Sequence, residues 1–359
     1  MNKKLMAVAV AGALAAPAMA FAQASTVQIY GLLNAEYGFF SQPDTGAGVN
    51  RPNADGFNSG ASRIGFKGEE KLGSGMSAWF QCESDIRFLS GSTRTSGSWC
   101  DRNSAIGLKG GFGNFFLGTW DTPLKQAVAK TRILNETGWL GAQYLLLTAN
   151  FDGSKRVAQS INYVTPNMGG FTARAQITST NAQFDKTTAG LKGRIVGFGA
   201  DYTGGPLTVA FGYEKADDNQ SILATNGAKD TSWGLGAAYT FGPVKAGVTY
   251  TAQKAELAGV EVKKKAWNLA ADWSVTAAGT VRVGYTQADD FKGTVSIPDS
   301  GAKQWQIGYN HALSKRTTAG VAYVKLDNDS AGDYNLTGRT LDASGRNASA
   351  VVFSLTHTF

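Results

Sequence analysis

The sequence predicts an all-β protein, a single 16-stranded antiparallel transmembrane β-barrel, and three observations carry that prediction. Apolar residues alternate with polar or small ones in run after run, a period of two. Large aromatics stand near the ends of those runs. Breaks rich in glycine separate them, short and long in turn. Gly supplies 45 of 359 residues and Pro only 8, while aromatics make up 11%. That composition suits many short strands and excludes disorder.

The chain opens with an address. Lys3 and Lys4 precede the apolar run Leu5 to Ala16, and two small-residue cleavage patterns follow, Ala18-Met19-Ala20 and Ala20-Phe21-Ala22. Residues 1–22 read as a secretory signal peptide, with cleavage favoured after Ala22 and Gln23 first in the mature chain. The run is shorter than the roughly 20 residues a spanning helix needs. Loss of two lysines lowers the formal charge from +7 to about +5. The remaining charges are scattered, so a nucleic-acid partner is not expected, and Lys263-Lys264-Lys265 reads as a solvated loop edge. Residues 23–359 show no linker or change of pattern, so one barrel domain is expected despite a length that often means two.

Strand 1 is expected near Val27–Phe39. In strand 2, Ile64 and Phe66 point to lipid, which turns Arg63 and Lys67 inward. Alternation stops from Trp120 to Arg156. A connection that long inside a regular fold is usually functional. Within it, Thr122 to Leu134 reads as a short helix with Thr122 as N-cap and Pro123 as first helical residue. In strand 6, Ile161 and Tyr163 point out, which puts Arg156 inward at the upper end.

The C-terminal half alternates most regularly. Trp233, Leu235, Ala237 and Tyr239 form one apolar face; Val244, Ala246, Val248 and Tyr250 the next. Trp267 to Trp273, Val281 to Tyr285 and Trp305 to Tyr309 continue it, and Val351, Phe353, Leu355, His357 and Phe359 close the chain. A soluble sandwich also alternates, but it rarely ends nearly every strand in an aromatic. Tyr202, Tyr213, Trp233, Tyr239, Tyr250, Trp267, Trp273, Tyr285, Trp305, Tyr309 and Tyr323 match interfacial girdles on a membrane barrel.

Turn spacing sets the strand number. Short breaks fall at 72–75, 110–113, 166–170, 204–205, 242–243, 277–279 and 313–315. Long ones centre near 41–60, 87–101, 121–155, 178–190, 215–231, 254–264, 288–302 and 326–347. Short turns on one side and long loops on the other join an even number of strands, as an outer-membrane barrel requires. Closure of strand 1 on the last strand, near Ser349–Phe359, removes the edges that lipid cannot satisfy.

Chemistry is scarce. No Ser or acid is bound by spacing to either histidine, and no His-Glu-x-x-His pattern occurs, so neither an enzyme nor a cofactor is expected. His311 is expected on the polar face and His357 on the lipid face. Gly197-Phe198-Gly199 and Gly234-Leu235-Gly236 sit inside strands and serve bending or close packing. Cys82 and Cys100 bracket the second outer loop, either as a disulfide or as two free thiols in an oxidising compartment.

The chain resembles the general porins of beta-proteobacterial and neisserial outer membranes. The resemblance rests on Val27-Gln28-Ile29-Tyr30-Gly31, Ser62-Arg63-Ile64-Gly65-Phe66-Lys67-Gly68-Glu69, the stretch from Leu72 to Glu83, Gly113 to Gly118, Asn162 to Phe171, Leu313 to Thr317 and the terminal Phe359. It implies a third outer loop folded into the barrel, a homotrimer in outer-membrane lipid, and passive passage of ions and small hydrophilic solutes. It also implies that the assembly machinery reads the last strand through Phe359. Arg63, Arg102 and Arg156 match arginines lining the constriction of such porins, although strict alternation from Ile106 and Leu108 turns Arg102 outward. Asp121, Glu136 and Asp152 are the loop acids available to face them. Thr119-Trp120 stands where many members carry an Arg. The expected function is a water-filled diffusion channel with weak anion preference. A closed-barrel adhesin or antigen, or a substrate-specific anion channel, are the alternatives.

Overall fold

A computed structural model describes residues 26–41, 54–89, 99–134, 140–141, 143–147, 156–178, 193–219, 228–336 and 345–359. The expected signal peptide, Glu136 and Asp152 lie outside these residues. The strands, in chain order, are β1 (Thr26–Ser41), β2 (Ala54–Asn58 and Arg63–Gly73), β3 (Met76–Asp85), β4 (Ser104–Gly110), β5 (Gly113–Asp121), β6 (Arg156–Val164), β7 (Phe171–Thr178) and β8 (Arg194–Gly204). They continue with β9 (Leu207–Asn219), β10 (Ala228–Phe241), β11 (Val244–Leu257), β12 (Val260–Ser274), β13 (Gly279–Ala288), β14 (Ala302–Ala312), β15 (Thr317–Asn328) and β16 (Ala348–Thr358). Among the described residues two helices interrupt them, α1 (Pro123–Thr131) and α2 (Gln143–Leu146).

Each strand pairs antiparallel with its neighbours, and β1 pairs with β16 from Leu32↔Thr358 to Ser41↔Ser349. The result is one closed 16-stranded barrel. The pieces of β2 both pair with β1, above and below a break at residues 59–62. Lys292–Gly293 continues β13 along β12. All seven expected short turns are present, at the end of the barrel where both described termini lie. Phe359 exchanges backbone hydrogen bonds with Gly31 at 3.1 and 3.2 Å. A β-carbon on Gly31 would strike its ring at 2.4 Å, so the glycine makes the seat for the terminal aromatic.

The faces follow the period-two pattern. Val196, Phe198, Leu235, Val248, Leu269, Trp305, Ile307 and Phe353 are exposed outward. The alternate positions Thr249, Thr251, Gln253, Asn268, Thr286 and Gln304 are buried inside. The eleven aromatics expected in the girdles lie on the outward face. Neighbouring strands bring them together, as in Trp233 with Tyr250 (5.4 Å), Trp267 with Tyr285 (5.1 Å) and Tyr285 with Trp305 (4.3 Å).

Two local expectations fail. The break at 254–264 is not a long loop, because β11 and β12 pair up to Leu257↔Val260. Ala258 and Gly259, both at positive φ (49° and 85°), make a two-residue hairpin. Lys263-Lys264-Lys265 is therefore strand, not loop edge. Lys263 and Lys265 face out, and Lys264 is only 1% exposed. His311 also faces outward, not into the polar interior. It shares the side of Trp305, Ile307 and Tyr309 by alternation, stacks on Tyr309 at 6.2 Å, and exchanges a hydrogen bond with its hydroxyl.

Candidate functional site

The third loop lies inside the barrel because the wall has been cleared for it. Thr122 caps α1, its hydroxyl accepting from the Lys125 N–H, and Pro123 holds the first position. Pro123, Leu124, Ala127, Val128 and Thr131 are buried. They meet inward-facing glycines in succession. Added β-carbons on Gly197 and Gly199 would touch Pro123, on Gly212 Leu124, on Gly234 Val128 and on Gly236 Thr131. The helix ends at Thr131, three residues before the expected Leu134. Arg132 turns extended (φ −71°, ψ 111°), which carries Ile133 onto Gly247 and Leu134 onto Gly284.

Polar ties hold the loop down. Thr131 Oγ1 lies 3.0 Å from Thr249 Oγ1. Lys130 and Arg174 both pair with Asp201, buried on the inner face of β8. Further along, Thr251 donates to the Leu146 carbonyl at 2.6 Å, and Lys264 donates to that of Leu145. The Lys264 ammonium also stands 5.0 Å from the Tyr334 ring centre. Leu145, Leu146 and Leu147 join a buried cluster with Phe40, Val324, Leu326 and Val352. The described parts of the third loop thus line the inner wall from β8 round to β16 and β1, and among the described residues they leave the wall from β2 to β6 open to the lumen.

The expected arginines gather on that open wall. Glu83, on the inner face of β3 and 7% exposed, is their hub. Arg102 Nε lies 2.6 Å from Glu83 Oε1, and Arg63 Nε 3.6 Å from Oε2. Tyr30 donates to the same carboxylate at 3.2 Å, and Asp85 stands 3.7 Å from Arg102. Arg102 precedes β4, so the alternation from Ile106 does not reach it, and its own N–H donates to the Glu83 carbonyl. Arg156 Nη2 pairs with Asp121 at 3.1 Å, and its Nε donates to Asn103 Oδ1 at 2.8 Å. Asn103 in turn donates to Asp121 at 3.1 Å. Lys125, from the first turn of α1, completes the group 2.8 Å from Asp121. Burial lowers the Lys125 pKa, and Asp121 opposes that shift.

Three sequence expectations change here. Asp121 is the last residue of β5 and not part of the inlaid loop, and it pairs with Arg156 on the neighbouring strand, Asp121↔Arg156 in register. The alternation used to orient Arg156 is broken by a bulge, with Gln159 at φ 50° and the register shifted between Gly118 and Trp120. Arg156 reaches the cluster through Asn103 and Asp121 instead. Glu83 and Asp85 were not singled out from sequence, yet counting inward from the outward Phe80 places both on the inner face. Cys82 and Cys100 form a disulfide, Cα atoms 4.8 Å apart, at the base of the second outer loop.

A further group lies lower on the same wall. Trp79, Phe116 and Trp120 all alternate inward, opposite the exposed Phe80, Phe115 and Leu117. Their ring centres are 5.3 Å (Trp79–Phe116), 4.9 Å (Phe116–Trp120) and 6.0 Å (Trp79–Trp120) apart. Gly107 between them leaves the space, since a β-carbon there would meet the Trp79 indole nitrogen at 2.7 Å.

A family model described as Gram-negative porin matches residues 7–331. Outer membrane porin protein 32 of Delftia acidovorans is 30% identical over 358 residues, 96% of this chain and 95% of its own length. Major outer membrane protein P.IB of Neisseria gonorrhoeae is 30% identical over 274 residues, 73% of this chain and 76% of its own. Among solved structures, an anion-selective porin from Comamonas acidovorans superposes with a TM-score of 0.76 at 26% identity, covering 93% of this chain and all of that one.

Proposed function

Because the chain belongs to the Gram-negative porin family, we propose that its selectivity is set between the inlaid third loop and the arginine wall of β2 to β6. The protein is an outer-membrane β-barrel channel for passive diffusion of ions and small hydrophilic solutes. Anions are the preferred ions. The observation that carries this is the composition of the cluster around Glu83. Arg63, Arg102, Lys125 and Arg156 outnumber the acids Glu83, Asp85 and Asp121 that pair with them, and Lys67 adds a further charge over the Tyr30 ring. Neutralised by direct ion pairs, those acids raise no cationic pathway of their own, and the surplus positive charge favours anions in the lumen beside the cluster.

Residues 1–22 serve as the export signal, three copies assemble in the membrane, and Phe359 marks the last strand for the assembly machinery. Reversal potentials across a planar bilayer in a salt gradient test the selectivity. The sign expected is that of a more permeant anion, and a clear cation preference overturns it. Arg63→Glu should shift the reversal potential toward cations without unfolding the barrel, since lumen positions tolerate charge that the lipid face does not. Absence of any stepwise conductance would instead favour a closed barrel used for adhesion or display.

A further inference from the structure

We infer that Trp79, Phe116 and Trp120 form a binding platform for the ring of a small aromatic carboxylate passing the arginine cluster, an inference that rests on the channel reading above. Among the described residues the three rings form an aromatic contact on the inward face of β3 and β5, and Tyr30 adds a separate ring beside Glu83. Many other inward positions carry Gly, Ala, Ser, Thr, Asn or Gln, with buried acids at Glu36, Asp201 and Glu214 and apolar residues where the third loop packs. Phe116, 2% exposed, is covered by the two indoles and supports them from behind. Trp79 and Trp120 are half-buried, so each keeps part of its surface toward the lumen. Trp79 is held in place by its indole N–H, which donates to Asn114 Oδ1 at 2.7 Å. That bond and the notch at Gly107 fix the ring, which lowers the entropy cost of using it as a contact.

Position determines the ligand class. Trp120 precedes Asp121 in the chain, and Trp120↔Val157 is the rung beside Asp121↔Arg156. Trp79 and Gln81 lead up the inner face of β3 to Glu83, the hub that holds Arg63 and Arg102. Arg63 keeps 31% of its side chain exposed, and a guanidinium with one acid partner retains free N–H donors for a second carboxylate. A solute leaving the cationic cluster therefore meets indole surface at the next level of the wall. An aliphatic acid uses only the arginines. An uncharged ring uses only the indoles. A ring bearing a carboxylate uses both, and the resulting preference is for the class that combines them.

The test is block of single channels in planar bilayers by benzoate, with acetate as the carboxylate lacking a ring. Benzoate should reduce the open-channel current, or raise its noise, at concentrations where acetate does neither. Trp120→Ala should weaken that block by about three- to tenfold, the range aromatic pairing supplies, and Trp120→Phe should restore most of it. Trp79→Leu, scored on each variant's own open-channel current, provides a second variant should Trp120→Ala not fold. Equal effects of benzoate and acetate, or block unchanged in both tryptophan variants, overturn the platform while leaving the channel intact. A protein with no conductance at all overturns the channel reading instead.

Discussion

Replacing Gly212 by alanine tests whether the glycine seat fixes how far the third loop reaches into the lumen. A β-carbon at Gly212 would stand 2.5 Å from Leu124 Cα, 2.9 Å from the Pro123 carbonyl and 3.0 Å from Ala127 Cβ. The first of these falls about 0.9 Å short of the 3.4 Å at which ordinary contact begins. The obstacles belong mainly to the helix backbone, so no side-chain rotation relieves them. The wall cannot yield either, because β9 is hydrogen-bonded along both edges, to β8 and β10. The helix must therefore withdraw from the wall into the water path, at a packing cost of about 1–3 kcal/mol. Single-channel conductance should fall while the sign of the reversal potential stays the same. Gly199→Ala is the graded comparison, since its β-carbon would lie 3.3 Å from Pro123 Cβ and 3.0 Å from the Phe211 carbonyl. Conductance should rank native, then Gly199→Ala, then Gly212→Ala. A folded Gly212→Ala barrel with native conductance would refute the idea that this seat sets the aperture.

Other perturbations reach different parts of the structure. Cys82→Ser opens the disulfide that closes an 18-residue separation. It should lower stability by up to about 3 kcal/mol, read as a lower melting temperature in detergent, and an unchanged melt would show that the bond constrains nothing. Lys264→Met removes the donor to the Leu145 carbonyl and the cation over Tyr334. Leaving a buried carbonyl unpaired costs about 1–3 kcal/mol, so the second half of the third loop should loosen and open-channel noise should rise; quiet channels would count against that anchor.

Most of the barrel was legible because period two is a strong signal wherever one face meets lipid and the other meets water. Legibility failed where charge interrupts the alternation. Around Lys263, Lys264 and Lys265 the buried face holds Val262 and Ala266 with a lysine between them, and the outward face holds Glu261, Lys263 and Lys265, so strand reads as loop. It failed again where aromatics occupy both faces. Trp79 beside Phe80, and Phe116 beside Phe115, look like girdle residues in a linear reading, yet one of each pair turns inward. At Gln159 a single residue at positive φ shifts the register, which no composition signal announces. Alternation turned both Arg63 and Arg156 inward, and resemblance matched Arg63 as well. Arg102 and Arg156 were matched by resemblance, and irregular backbone rather than strand parity brings them to the cluster. Glu83 could have been found by counting from Phe80.

The meeting of Phe359 with Gly31 has a consequence for connectivity. The seam between β1 and β16 joins residues more than 300 positions apart, yet it leaves Thr26, the first described residue, and Phe359 at the same rim. A short linker from Phe359 to Thr26 would turn the seam into one more tight turn. New ends could then be cut at Gly205 or Gly242, both at positive φ in exposed turns with nothing within 4 Å of an added β-carbon. Such a circular permutant keeps every rung of the barrel and every contact of the third loop, but no longer ends in Phe359. Refolding in detergent would then depend on the ladder alone, while the role proposed for Phe359 predicts that insertion in the cell fails, so one molecule would separate what the fold needs from what delivery needs.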